Sequence, residues 1–288
     1  MSKGHPRRKP RPKERHWKKA WGKYLLWTGY AAAILLLLFL IFNTVVAPSA
    51  NPTPASTPPP APQPAGRKAA IADQIGLSHP NPDFTAKART YLKDAGFGVE
   101  VYRAEDITVE FYRALPAKGY KLIVLRTHST NIVNKTRRGP VFLFTSEVYD
   151  KRRYRREQLF NQIGSARVLY DKNAPLYFAI LSGFVRQAMV GRFRDTLIII
   201  GGCQSLGTLD MAQALVERGA SVVIGWDEWV DLAHNDRAIL HLLHALTVEG
   251  LTVEQAVERT MNEVGPDPTY KSVLTYYPPE RGGYALAR

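Results

Sequence analysis

DTLIIIGGCQSLGTLDMAQALVERGASVVIGW (195–226) is the stretch that decides the fold. Its first part, DTLIIIGGC (195–203), is an apolar run ending in two glycines and polar residues, and it reads as a strand. TLDMAQALVERGA (208–220) has helical spacing, and SVVIGW (221–226) is a second apolar strand. Strand, helix and strand in close succession imply parallel strands. Near-continuous apolar strands, rather than alternating ones, imply a sheet covered on both faces.

The same alternation extends upstream. AAIADQI (69–75) is a short apolar run, FTAKARTYLKDAGFG (84–98) is helical, and VEVYRA (99–104) alternates like a strand. ITVEFYRALPAKG (107–119) reads as a helix interrupted near Pro116, and YKLIVLRTH (120–128) as a buried strand. PVFLFTSEVYD (140–150) and SARVLYD (165–171) suggest an added hairpin around the basic run KRRYRR (151–156). LYFAILSGFVRQAMVG (176–191) reads as one helix, and residues 232–262 as mostly helical. The expected class is α/β with a mostly parallel central sheet and helices on both faces.

In such sheets functional groups collect at the carboxyl ends of the strands. Those positions hold Asp73 and Gln74, His128 and Ser129, Cys203 and Gln204, and the run from Trp226 to Asp231. The single Cys of the chain follows a buried strand and Gly201-Gly202 on a sharp turn, near backbone amides that favour negative charge. His128 occupies the equivalent end of the preceding parallel strand. Neighbouring strands lie ~4.8 Å apart, so a neutral imidazole can take the thiol proton and the sulfur can attack a carbonyl.

These residues carry a family resemblance. An apolar block ending in His, followed by one ending in Gly-Cys, resembles the caspase-like cysteine peptidases: caspases, gingipains, clostripain, separases and CHAT domains. GGCQSLGTLDMAQALVERGASVVIGWDEWVD (201–231) is similar to the CHAT/separase stretch, and LHLLHALTVEGLTVEQAVERT (240–260) to the helix pair that follows it. The resemblance covers about residues 68–262. It implies a caspase-like three-layer sandwich with strand order 2-1-3-4-5, Cys203 as nucleophile and His128 as general base or acid. It also implies an oxyanion site on the backbone of Ser129, Cys203 and Gly202. The family usually has His-Gly where this chain has His128-Ser129.

The resemblance further implies a P1 pocket at the end of the first strand and the loops after the nucleophile and fifth strand. Here that points to Asp73, Gln74, Gln204, Trp226, Asp227 and Asp231, with Glu228 nearby. A carboxylate there would select Arg or Lys through a charge-assisted pair. Asp73 is the first choice, whereas Asp231, before LAHNDRAIL, also reads as a helix cap. Arg126 could instead favour an acidic P1, but is expected to point to the opposite face. His241 and His244 have metal-ligand spacing without a positioned carboxylate, and read as a helix face. KRRYRR reads as a solvated loop or, if the enzyme cuts after basic residues, a self-processing site. GFGV (96–99) lacks the residues of a phosphate loop. No cofactor or metal is expected.

The 288 residues carry 39 Lys+Arg against 25 Asp+Glu, but residues 1–23 alone supply +9 of the net +14. The global charge is therefore no argument for nucleic-acid binding. Residues 24–47 are apolar and uncharged, long enough for a transmembrane helix, with Trp17, Trp21, Tyr24 and Trp27 near its start. The basic flank places the N-terminus in the cytoplasm and the rest outside. Residues 48–66 hold eight prolines and form a semi-rigid spacer before the domain at 67–288. With 45% hydrophobic residues and one Cys, a fully disordered chain and a disulfide scaffold are excluded.

The expectation is a membrane-anchored, extracytoplasmic Cys–His endopeptidase acting on protein or peptide substrates. Two alternatives fit the same residues: an inactive caspase-like binding or signalling domain, favoured by His-Ser, and a flavodoxin-like domain that binds a small ligand.

Overall fold

The computed structural model describes residues 67–133, 137–168 and 173–286. The expected basic segment, membrane span (24–47) and proline-rich spacer lie outside these residues. Among the described residues, no helix is long and apolar enough to cross a membrane.

In chain order the elements are β1 (Lys68–Asp73), α1 (Pro82–Asp94), β2 (Gly98–Tyr102), α2 (Val109–Ala114), β3 (Leu122–Arg126), β4 (Ser129–Val133) and β5 (Arg137–Val148). There follow α3 (Arg155–Leu159), β6 (Ile163–Ala166), β7 (Tyr177–Ile180), α4 (Ser182–Gln187), β8 (Thr196–Gly201) and α5 (Asp210–Glu217). The chain ends with β9 (Ala220–Trp226), α6 (Leu232–Thr247), α7 (Val253–Glu263) and β10 (Leu274–Tyr277).

A six-stranded sheet in the order β10-β9-β8-β3-β1-β2 forms the centre, parallel except for the edge strand β10. The strand pattern explains why it is covered on both sides. Leu122, Val124, Leu197 and Ile199 face a core completed by α1, α6 and α7. The alternate residues Ile123, Leu125, Ile198 and Ile200 face the other core, completed by α2, α4 and α5. Every residue of β3 and β8 is buried, as two-sided burial of apolar strands requires. The helices start where local chemistry supplies caps. Asn81 accepts the Phe84 amide with Pro82 at the first turn, and Thr252 and Gln255 make a reciprocal capping box.

A second sheet, β4-β5-β7-β6, stands on the α2 side and contributes Val141, Leu143, Phe178 and Ile180 to that core. It corrects two sequence expectations. LYFAILSGFVRQAMVG is not one helix: its first part is strand β7, and α4 starts only at Ser182. The run 140–150 therefore pairs with β4 and β7 rather than with SARVLYD, and β6 pairs on the other side of β7. A short apolar run fits a buried helix turn or a buried strand equally, and here tertiary pairing chose the strand. Strand β4, directly after His128, and edge strand β10 carry no strong apolar pattern and were not expected.

Candidate active site

The site grows from the junction of β3 and β8. These strands pair in register, with Arg126 opposite Gly201, and the Thr127 amide extends the ladder to Gly201 O at 3.2 Å. Beyond that point the chain ends pack without a gap. A Cβ on Gly202 would lie 2.1 Å from Thr127 O and 2.5 Å from Ser129 Oγ. Only glycine fits there. Ser129 Oγ donates to the Cys203 carbonyl at 2.7 Å, joining the two strand ends directly. Immediately afterwards Gln204 adopts φ 54°, a left-handed conformation that costs a non-glycine residue ~1–2 kcal/mol. Its fixed side chain holds that bend: Nε2 donates to Glu228 at 3.1 Å, and Oε1 accepts from Thr130 and from the Asn131 amide.

His128 is fixed from behind. Its amide donates to Gln74 Oε1 at 3.0 Å, its carbonyl accepts from the Phe144 amide, and its ring meets Phe144 edge-on at 5.8 Å. The Cys203 thiol contacts Val230 O at 3.5 Å, on the loop after β9. His128 and Cys203 both border one cleft of about 1020 Å³. Burial lowers the His128 pKa to about 4, helped by electrostatic interaction with His79 and with the Arg126 guanidinium. Burial raises the Cys203 thiol, the carboxylates of Asp267 and Asp231 add to that rise, and backbone contacts at Val230 and Cys203 oppose it. Both groups are therefore neutral at neutral pH: a thiol and an imidazole on one cleft rather than a preformed ion pair.

No protein-family model matches this chain, and no curated protein matches it.

Of the groups expected to hold an oxyanion, the Gly202 amide is already committed to Ile200 O at 3.1 Å. Ser129 starts β4, which pairs with β5 through Leu143. The expected P1 residues are mostly engaged elsewhere. Asp73 does not border the cleft; it accepts from Arg126 Nη1 at 2.7 Å and from the Gly76 amide. Gln74 and Gln204 are buried with their side chains hydrogen-bonded to the surrounding strand ends and loops, and Trp226 is buried with its indole donating to Asn235. Asp227 accepts from the Ser272 hydroxyl and the Val273 amide. Glu228 pairs with Arg138. Asp231 alone of the set borders the cleft, and it caps α6 by accepting from Ala233 and His234.

Arg126 overturns its own expectation. Arg126 borders the same cleft as His128. It is buried, with Nε and Nη2 bonded to the two oxygens of Asp236 at 2.8 Å each and with Phe84 beneath it. Sequence reading missed Asp236. The available signal was Asn235-Asp236, two polar residues on the otherwise apolar face of LAHNDRAIL. Among the histidines of α6, His241 pairs with Glu263 and His244 with Glu249, both partly exposed. His234 contacts Gly265 O and Arg237. The helix before GFGV stops at Gly96, which has a left-handed φ of 82°.

Proposed function

We propose that the protein is a cysteine endopeptidase of the caspase-like kind, with Cys203 as nucleophile and His128 as the proton acceptor. The reading rests on one observation: the chain's single thiol and a neutral imidazole end adjacent parallel strands and border the same cleft. Its strand arrangement is compatible with the family named from the sequence. His128 removes the thiol proton as Cys203 Sγ bonds to the substrate carbonyl carbon. The carbon–nitrogen bond then breaks, the imidazolium returns the proton to the departing amine, and water hydrolyses the resulting thioester. The proposal includes the anchor: a span at 24–47 and a proline spacer that would present the domain outside the cytoplasm.

The test is turnover of a peptide library by the purified full-length chain beside Cys203→Ala. Cleavage by the native chain alone supports the reading, and equal turnover by both ends it. A non-catalytic binding domain is the second reading, favoured by the raised thiol pKa and by His128-Ser129 in place of His-Gly. Under that reading a thiol-directed peptide probe labels native protein and His128→Ala at the same rate.

A further inference from the structure

We infer that the cleft accepts a bulky uncharged side chain next to the scissile bond, and rejects Arg, Lys, Asp and Glu there. The inference rests on the peptidase reading and replaces the basic preference expected from the sequence.

Two observations carry it. The first is that the charged groups at the inner end of the cleft are spent on one another. Asp236 Oδ1 accepts from Arg126 Nε and Asn235, and its Oδ2 from Arg126 Nη2 and Asn81. Asp73 sits behind Arg126, which also donates to His79 O at 3.1 Å. Deep in the cleft, an incoming ammonium or guanidinium would meet Arg126 and a carboxylate, Asp236, whose two oxygens are already bonded to that guanidinium. An incoming carboxylate would meet a cation already held by two carboxylates. Either charge would lose its water without a partner, which is costly in a partly enclosed site. The charges left at the rim, Asp231 and Arg167, are exposed and belong to opposite signs, so solvent and salt screen them.

The second observation places the thiol on an apolar wall. Cys203 Sγ contacts Val230 O, so a substrate reaching the sulfur passes along Trp229 and Val230 of the loop after β9 and Leu232 at the start of α6. Tyr270 extends this wall, its ring centroid 6.4 Å from that of Trp229. Ile75 borders the cleft as well. Aromatic and aliphatic surface here gains by covering another apolar side chain.

The experiment uses the full-length chain and three peptidyl acyloxymethyl ketones that differ only in the residue next to the ketone: Leu, Arg or Asp. In each, the Cys203 sulfur bonds to the ketone methylene carbon, the carbon–oxygen bond breaks, and the carboxylate leaves with the electron pair while His128 takes the thiol proton. Intact mass follows the adduct, with Cys203→Ala as the control. The Leu probe should label at least about tenfold faster than the other two, the usual discrimination of an apolar site. Trp229→Ala should bring the three rates together. Faster labelling by the Arg or the Asp probe overturns the inference and leaves the peptidase reading standing. No labelling of Cys203 by any of the three, while iodoacetamide still labels it, ends both.

Discussion

Ser129 and Cys203 are joined across two strands, the serine hydroxyl donating to the cysteine carbonyl at 2.7 Å. The hydroxyl stands where the resemblance predicts glycine, and it ties the imidazole-bearing strand end to the thiol-bearing turn. Removing it in Ser129→Ala should cost about 0.5–1.5 kcal/mol, the net worth of one hydrogen bond. The thiol turn should also loosen, so labelling of Cys203 by the Leu probe should slow while urea unfolding stays a single transition. A variant as reactive and as stable as the native chain would show the bond to be idle.

Gly202 leaves less room for change. A methyl group there meets backbone at 2.1 Å, and neither strand can yield without breaking the β3–β8 register. Gly202→Ala should destabilise by about 1–3 kcal/mol or more, as overpacking does. It should also separate His128 from Cys203 and abolish labelling by peptidyl probes. Denaturant titration and probe mass spectrometry read the two effects separately.

The pH dependence follows from two neutral partners. His128 becomes protonated only near pH 4, so the acid limb of Cys203 reactivity should fall near 4 rather than near the ordinary 6.5. The raised thiol places the alkaline rise of iodoacetamide labelling above the ordinary 9.0. Stability shows the same group. Because the folded pKa of His128 lies below the unfolded 6.5, its contribution is complete above pH 6.5 and is lost as pH falls from 6.5 to about 4. The loss is on the order of 3 kcal/mol. His128→Phe should flatten that part of the stability profile, and an unchanged slope would assign it to other groups.

The Arg126–Asp236 pair is a structural commitment of the cleft floor. Asp236→Ala leaves a buried guanidinium with Asp73 as its remaining carboxylate and should cost about 3–5 kcal/mol. The double variant Arg126→Met/Asp236→Leu should recover much of that loss, because it removes both charges together. Chemical denaturation of both variants measures the difference.

In the hydrophobic centre, Ile199→Ala should cost about 2–5 kcal/mol, since Ile199 is fully buried in a strand covered on both faces. The same substitution at Val101, exposed on edge strand β2, should cost far less.

By itself the sequence determined the parallel centre of this protein. LIVL and TLIII are too apolar for a one-sided sheet, so a parallel centre and the strand ends that carry His128 and Cys203 were readable from pattern, whereas the order of the strands came only from the family resemblance. It also announced the cap at Asp231, because capping chemistry is local. Of the second sheet, pattern suggested strands at β5 and β6 but neither their pairing nor β4 and β7. LYFAI and STNIV become strands only because β5 and β6 supply partners, and such pairing leaves little trace in a single short run. Nor could sequence decide the occupants of the charged pocket. Asp73, Arg126 and Asp236 lie far apart along the chain, and whether a carboxylate waits for a substrate or is already held by an arginine depends on which side chains the fold brings within 3 Å of one another.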